Sequence, residues 1–386
     1  MQIIIKLTTG CNLACVYCSE GDKEPMILDK TILHKMIEEI PELLNQLNDK
    51  NITFLWHGGE PLLVGKQYLI ESMDFAISKL KCFNPRFLVQ SNGTLIDDEW
   101  VDIFKKYNVH VGVSLDGYRE LHDINRLKKD GTPTFNIIMK NIRLLQEAGC
   151  FGGAIMVLNR PEIVDVNQLY SFIKSENLTL KIRPVIPCGR ASNLNTESID
   201  DQFVILMKNL YEKIMSDDDM ILLDPLDEIM DAILGVGCIR ECAYNGSCSR
   251  NFICLFTDGT MSFCGRSGIG ADFIFGKVKD SSLKSLYNSK AAVQIRSRKD
   301  YLVNHDCKEC KYWTLCYGGC GYEALTATGN LFSKYPGCEA RKKLLDYLMT
   351  TGIVLLKNKL IRQKQKYRLL NAEREKMLKE LEDEDQ

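Results

Sequence analysis

No segment of this 386-residue chain is long and apolar enough to span a bilayer, and charge of one sign is not in excess. Lys and Arg number 49 against 51 Asp and Glu, a formal net charge of −2. The first absence argues against a membrane span. The near-balance removes any general attraction to nucleic acid or to an anionic membrane surface. The opening Met1-Gln2-Ile3-Ile4-Ile5-Lys6 lacks the charged-then-apolar layout of a signal peptide, so a cytoplasmic location is expected. Internal repeats and low-complexity linkers are missing as well. At 45% hydrophobic and 26% charged residues the composition is that of an ordinary globular protein, with room for one large domain and a smaller one.

What the chain does have is cysteine, 16 of them. Disulfides are rare in a reducing cytosol, so cysteines clustered at short, repeated spacings point to metal.

From Met1 to Leu223, apolar runs rich in β-branched residues alternate with amphipathic stretches. Ile3–Leu7, Ile52–Trp56, Phe87–Gln90, Val109–Val113, Ala154–Leu158 and Leu180–Val185 read as buried strands. Thr31–Leu47, Gln67–Lys81, Asp98–Tyr107 and Thr134–Ala148 read as helices between them. Such alternation predicts an α/β fold, a parallel sheet covered by helices and closed or part-closed as a barrel over 1–223. Over 224–345 helical periodicity fades and Gly and Cys rise, as in a small domain that leans on metal for stability. The remainder, 346–386, is dense in Lys, Arg and Glu and reads as a solvated terminal helix, with partner docking as the sharper alternative.

Directly after the first strand stand Cys11, Cys15 and Cys18, spaced C-x3-C-x2-C. A loop so spaced can wrap three thiolates around one face of a cubane cluster, leaving one iron without a protein ligand. Zinc is the competing reading, but structural zinc takes four ligands, usually as two pairs. Further along, Cys248, Cys254 and Cys264 are followed by Cys307, Cys310, Cys316, Cys320 and Cys338. Eight thiolates suit two fully ligated 4Fe–4S clusters, or two zinc ions.

The motif C-x3-C-x-Tyr-C after a first barrel strand resembles the radical S-adenosylmethionine (radical SAM) superfamily. The resemblance implies a partial (β/α)6 TIM-like barrel in which the open iron chelates S-adenosyl-L-methionine. The cofactor is then cleaved reductively to a 5′-deoxyadenosyl radical. Tyr17 would lie against the adenine. Gly58, Gly59, Glu60 and Pro61 resemble the stretch that meets the methionine amino group, where Glu60 can pair with nearby charge. Gln90 and Asn92 end the third strand; Ser114, placed to touch the ribose, and Asp116 end the fourth. Arg126 resembles the arginine that meets the methionine carboxylate.

The later cysteines resemble the SPASM domain. Its interleaved pattern implies that Cys248, Cys254, Cys264 and Cys320 hold one auxiliary cluster, and Cys307, Cys310, Cys316 and Cys338 a second. Three 4Fe–4S clusters in all are therefore expected.

By that resemblance the protein is expected to modify a peptide, taking a hydrogen from one residue and passing an electron to the auxiliary clusters. Two branches compete. In anaerobic sulfatase maturases, which make formylglycine, an aspartate directly follows the cysteine matched here by Cys264 and serves as base; this chain has Gly265-Arg266. Maturases of ribosomally made precursor peptides, forming thioether or C–C cross-links, are therefore preferred. A flavodoxin- or ferredoxin-type electron donor is implied. Only ten residues precede Cys11, so a separate leader-binding protein, the SPASM region or the terminal helix would recognise the leader. Asp272 and Glu323 are candidate bases. A reading from another class, a non-catalytic iron–sulfur carrier, has no use for the methionine-binding segments. Cys82 and Cys150 read as buried or helix-end residues, while Cys188, Cys238 and Cys242 are thiols that could engage a substrate or an open iron.

Overall fold

The structure is a computed structural model that describes residues 1–196, 198–219, 221–266 and 271–384. Strand β1 (Gln2–Thr8) is mostly β-branched residues and leucine, and its alternate side chains Ile3, Ile5 and Leu7 are fully buried. Helix α1 (Lys30–Leu47) starts where Asp29 accepts from Thr31 N at 2.7 Å and buries Leu33, Met36, Ile37, Ile40, Leu43 and Leu44. It ends at Asn48, whose φ of 50° stops the helix.

The unit then repeats. Strands β2 (Asn51–Gly58), β3 (Asn84–Ser91), β4 (His110–Ser114), β5 (Phe151–Leu158) and β6 (Leu180–Pro184) follow, all parallel. Between them run α2 (Lys66–Lys79), α3 (Asp98–Lys106), a short α4 (Arg119–Asp123), α5 (Phe135–Glu147) and α6 (Val166–Ser175). After β6 comes α7 (Ile199–Ser216). Parallel strands put every carboxyl end on one edge, so the six following loops share a mouth. The six expected strands and four expected helices all form, with no end displaced by more than three residues.

Sequence periodicity did not reveal how the cysteine-rich region attaches. A short β7 (Leu223–Asp224) extends the sheet beyond β6, while β8 (Phe252–Leu255), β9 (Thr260–Ser262) and β10 (Ile274–Lys277) extend it from the other side. The ten-stranded order is β10-β9-β8-β1-β2-β3-β4-β5-β6-β7, and its end strands do not pair, so the barrel is partial among the described residues. Strand β8 lies parallel to β1, with Cys254 opposite Ile4. The region shares the barrel's core, and Lys35 Nζ of α1 donates to Val278 O at 2.6 Å.

It also contains a 15-residue helix, Lys290–Asn304, where fading periodicity predicted only short elements. Its inward face is Ala291, Ala292, Ile295, Arg298 and Leu302. Arg298 interrupts the apolar stripe yet is only 5% exposed, because four backbone carbonyls receive its guanidinium: Leu331, Gly318, Gly319 and Ser333, at 2.7–3.0 Å. A charge at a core position hides a helix from a hydrophobicity pattern.

From Cys338 the chain is helical almost to its end, with helices Cys338–Tyr347 and Ile353–Glu384 joined through a π-helical turn. Lys359 Nζ anchors the last helix by donating to Ile214 O and Asp219 O beside α7, at 2.9 and 2.8 Å. No helix among the described residues is long and apolar enough to cross a membrane.

Candidate functional site

The loop bearing Cys11, Cys15 and Cys18 leaves β1 at the shared mouth and is held from four sides. From the β2 side, Gly59 N donates to Thr8 O (2.7 Å) and Glu60 N to Gly10 O (2.8 Å). Approach this close demands glycine: a Cβ on Gly59 would stand 2.2 Å from Gly10 O. From β3, Asn92 Nδ2 donates to Asn12 Oδ1 (2.8 Å), and Asn12 Nδ2 in turn donates to Thr94 Oγ1 (2.8 Å). From the segment after α4, Leu127 O and Asn125 O accept Ala14 N and Val16 N. From the loop after β6, Arg190 N donates to Cys18 O (2.9 Å) and Arg190 Nη1 to Cys15 O (3.1 Å). This last clasp involves Gly189-Arg190, which no motif had flagged.

The Cys18 charge is felt by both Cys11 and Cys15, and the Cys11 charge by Cys15. Burial pushes the Cys15 thiol up to about 11; the Arg126 cation opposes the rise, and Cys18 and Cys11 add to it. Burial likewise raises Cys11.

Among the described residues, Glu60 meets no cation of the chain itself. Its fully buried carboxylate instead accepts Leu62 N (3.1 Å), Ser91 Oγ (2.8 Å) and Asn92 N (2.7 Å). These bonds tie the ends of β2 and β3 together and start the short helix Pro61–Val64, with buried Pro61 at its first position. Burial raises Glu60 to about 7 despite the three donors. Gly58 has a φ of +147°, and a Cβ there would lie 2.4 Å from Thr8 O. Gln90 Nε2 donates to Ser114 Oγ at 3.2 Å, joining β3 to β4 across the inner face.

Asp116 and Arg126 form a buried ion pair with Nε and Oδ2 3.1 Å apart, although Nε is not aimed along a hydrogen bond. Tyr17 OH donates to the same carboxylate, the Arg126 guanidinium lies 5.3 Å over the Tyr17 ring, and Val157 N donates to Asp116 Oδ1 at 3.0 Å. Tyr17, Asp116 and Arg126 thus form one unit beside Cys15. Beneath the mouth, Lys6 Nζ donates to Glu20 Oε1 at 2.6 Å and stands 3.4 Å from His57 Nδ1. Since His57 Nδ1 also accepts Gly58 N at 2.6 Å, its proton sits on Nε2; burial and Lys6 hold the ring neutral, near 3.

Cys248, Cys254, Cys264 and Cys320 converge next to β1. The Cys264 charge is felt by each of the other three, and burial raises all of Cys248, Cys254 and Cys320, the last to about 12. Cys242 belongs to the same neighbourhood, within the fields of Cys248 and Cys320, whereas Cys238 is exposed. Cys307, Cys310, Cys316 and Cys338 line a single cavity with Tyr312, Trp313, Tyr335 and Arg341. Arg266 Nη1 lies 3.4 Å from Cys320 Sγ, and Arg341 Nη1 lies 3.6 Å from Cys316 Sγ. Soft sulfur donors with guanidinium counter-ions fit polyanionic iron–sulfur clusters.

Of the remaining cysteines, Cys82 is exposed and Cys150 buried. Cys188 is buried beside Tyr322 and within the field of Cys264. Asp272 is exposed, and Glu323 pairs with Arg266 at 3.4 Å.

Comparison with known proteins agrees with this geometry. Residues 5–173 match the model of the Radical SAM superfamily, and residues 247–311 that of an iron–sulfur cluster-binding domain, SPASM. A cysteine-type anaerobic sulfatase-maturating enzyme of Clostridium novyi is 28% identical over 340 residues, covering 83% of this chain and 87% of that one. A serine-type counterpart of Bacteroides thetaiotaomicron is 33% identical over 171 residues, covering 42% and 41%. Among solved structures, "Native anSMEcpe with bound AdoMet" superposes with a TM-score of 0.78 at 22% identity, over 92% of this chain and 99% of that one. Streptococcus suis SuiB bound to precursor peptide SuiA gives 0.61 at 16%, over 88% and 75%. At these identities the two structures speak for the fold.

Proposed function

Because the chain belongs to the radical SAM superfamily and carries its SPASM iron–sulfur domain, we propose that it is an enzyme that oxidises a residue of a ribosomally made precursor peptide and closes a thioether or C–C cross-link. The observation that carries this reading is the meeting of the Cys11–Cys18 loop with the carboxyl ends of β2, β3 and β6, while Cys254 lies on the strand paired with β1.

In this reading Cys11, Cys15 and Cys18 hold one 4Fe–4S cluster with one iron left open. Cys248, Cys254, Cys264 and Cys320 hold a second, and Cys307, Cys310, Cys316 and Cys338 a third. The domains divide as 1–223, 224–345 and 346–386. Bound together, the first cluster and S-adenosyl-L-methionine supply a 5′-deoxyadenosyl radical, which takes hydrogen from an unactivated carbon. The protein's own work is placement and exclusion of water. Gly58, Gly59, Glu60 and Pro61 form the wall for the methionine amino group; Gln90, Asn92 and Ser114 line the nucleoside side. Arg126, oriented by Asp116, receives the methionine carboxylate, and Tyr17 backs the adenine. A flavodoxin- or ferredoxin-type protein delivers the electron, and a separate protein can present the leader.

Position 265 supports cross-linking over formylglycine formation. Gly265 carries no carboxyl group to serve as base, and a Cβ there would lie 3.2 Å from Ile4 Cγ2 and 3.3 Å from Lys6 Cε, so these side chains would shift by a few tenths of an ångström to admit a larger residue. The second reading, a formylglycine-making sulfatase maturase, is favoured by relatives of that name aligned over 83% of the chain.

Anaerobic reconstitution with S-adenosylmethionine and dithionite should yield 5′-deoxyadenosine. A co-expressed precursor peptide should lose about 2 Da without becoming reactive to an aldehyde probe. An aldehyde product, about 18 Da lighter when made from cysteine, would select the sulfatase reading. Uptake of zinc in place of iron and sulfide would overturn both.

A further inference from the structure

Arg266 occupies an unusual place. It stands two residues after Cys264, with Nη1 3.4 Å from Cys320 Sγ, the same distance from Glu323 Oε1, and its guanidinium 5.3 Å over the Tyr322 ring. Tyr322 is 1% exposed, so the cation is pressed against the cysteine group on one side and a buried ring on the other. The other cations near this group are already committed. Lys6, whose field reaches Cys254, is paired with Glu20. Arg298, whose field reaches Cys248 and Cys320, gives its donors to four backbone carbonyls. Arg266 is, among the described residues, the cation whose N–H meets a sulfur of this group. Arg341 repeats the arrangement at Cys316 of the other group.

We propose that Arg266 is a positioning residue that raises the reduction potential of the cluster held by Cys248, Cys254, Cys264 and Cys320, with Glu323 as its counterweight. The inference rests on the cluster assignment proposed above. Reduction adds one electron, makes no bond and takes up no proton, so the reduced cluster is the more negative state. An N–H aimed at a ligand sulfur and a nearby positive charge both favour that state. A carboxylate on the far side of the guanidinium opposes it. Arg266 and Glu323 therefore act with opposite signs, which a purely structural role would not produce.

The test is a redox titration followed by EPR on the anaerobically reconstituted full chain. Cys11, Cys15 and Cys18 are replaced by alanine to silence the first cluster, and a Cys307→Ala/Cys310→Ala variant identifies the signal of the Cys307 group. Arg266→Met should lower the one-electron reduction equilibrium of the Cys248 group about tenfold, which is about 59 mV. Glu323→Gln should shift the same signal upward, and Arg341→Met should leave it in place. An unmoved signal in fully loaded Arg266→Met, or shifts of the same sign in both variants, overturns the proposal. Should Arg266→Met lose iron, Glu323→Gln decides: a rise supports the proposal and no rise overturns it. An iron deficit at the Cys248 group in the unsubstituted chain defeats the cluster assignment itself, and shows as missing metal instead of a missing shift.

Discussion

Gly59→Ala is the smallest substitution that should empty the first cysteine group. The added Cβ would stand 2.2 Å from Gly10 O and 2.7 Å from both Gly10 C and Thr9 O, where ordinary contacts begin at 3.4 Å. All three obstacles are backbone, so no rotamer change relieves them, and the Thr9–Gly10 segment must withdraw by about 1 Å. Withdrawal breaks Gly59 N to Thr8 O and Glu60 N to Gly10 O, the bonds at 2.7 and 2.8 Å that fix the start of the cysteine loop. Two lost hydrogen bonds at about 1 kcal/mol each, with about 1–3 kcal/mol of strain, put the local cost near 3–5 kcal/mol. That is enough to displace Cys11 from its place opposite Cys15 and Cys18.

The assay is iron and acid-labile sulfide per chain after anaerobic reconstitution, read beside 5′-deoxyadenosine formation. Gly59→Ala should bind about four fewer irons than the unsubstituted chain and form no 5′-deoxyadenosine. Gly65→Ala separates sterics from backbone strain: its φ is +86°, yet nothing lies within 4 Å of its Cβ. It should cost about 1–3 kcal/mol and keep its iron. A Gly59→Ala protein with full iron and normal cofactor cleavage would refute the claim that this close approach holds the loop.

Cys15→Ala should remove the first cluster, again about four irons, and abolish 5′-deoxyadenosine while the auxiliary signals persist; intact turnover would defeat the site reading. Glu60 gives a pH test: its folded value is raised from 4.5 to about 7, so the unfolded chain ionises first and stability falls as pH rises across that window. The group's contribution, about 3 kcal/mol, should vanish from the unfolding profile of Glu60→Gln, leaving a flatter curve between pH 4.5 and 7. Arg298→Met strips donors from the carbonyls of Leu331, Gly318, Gly319 and Ser333. It should cost about 3–5 kcal/mol in urea unfolding; a loss under 1 kcal/mol would show that water replaces the guanidinium.

The strands and helices of 1–223 were legible because each buries one face, and a buried face leaves a period in the sequence. Thus Ile3, Ile5 and Leu7 alternate, and Leu33, Met36, Ile37 and Ile40 recur at helical spacing. The cysteine loop was legible because its three thiols lie within eight residues and their spacing is itself the geometry. The helix Lys290–Asn304 was not, because Arg298 stands where an apolar residue would complete the stripe. Gly189-Arg190 likewise carries no signal, since its task is to meet the carbonyls of Cys15 and Cys18, some 170 residues earlier.

Sequence alone determined which elements form over 1–223 and which residue types cluster along the chain, since local periodicity and ligand spacing are properties of neighbours. Tertiary structure decided what each cluster faces. It set β8 beside β1 and so brought Cys254 next to Ile4, tied Glu60 to Ser91 and Asn92, and put Arg266 against Cys320. Each of these joins segments 30 to 250 residues apart. Pairing over such distances is selected by the packing of the whole core, where every candidate partner competes at once, and leaves no mark on either segment by itself.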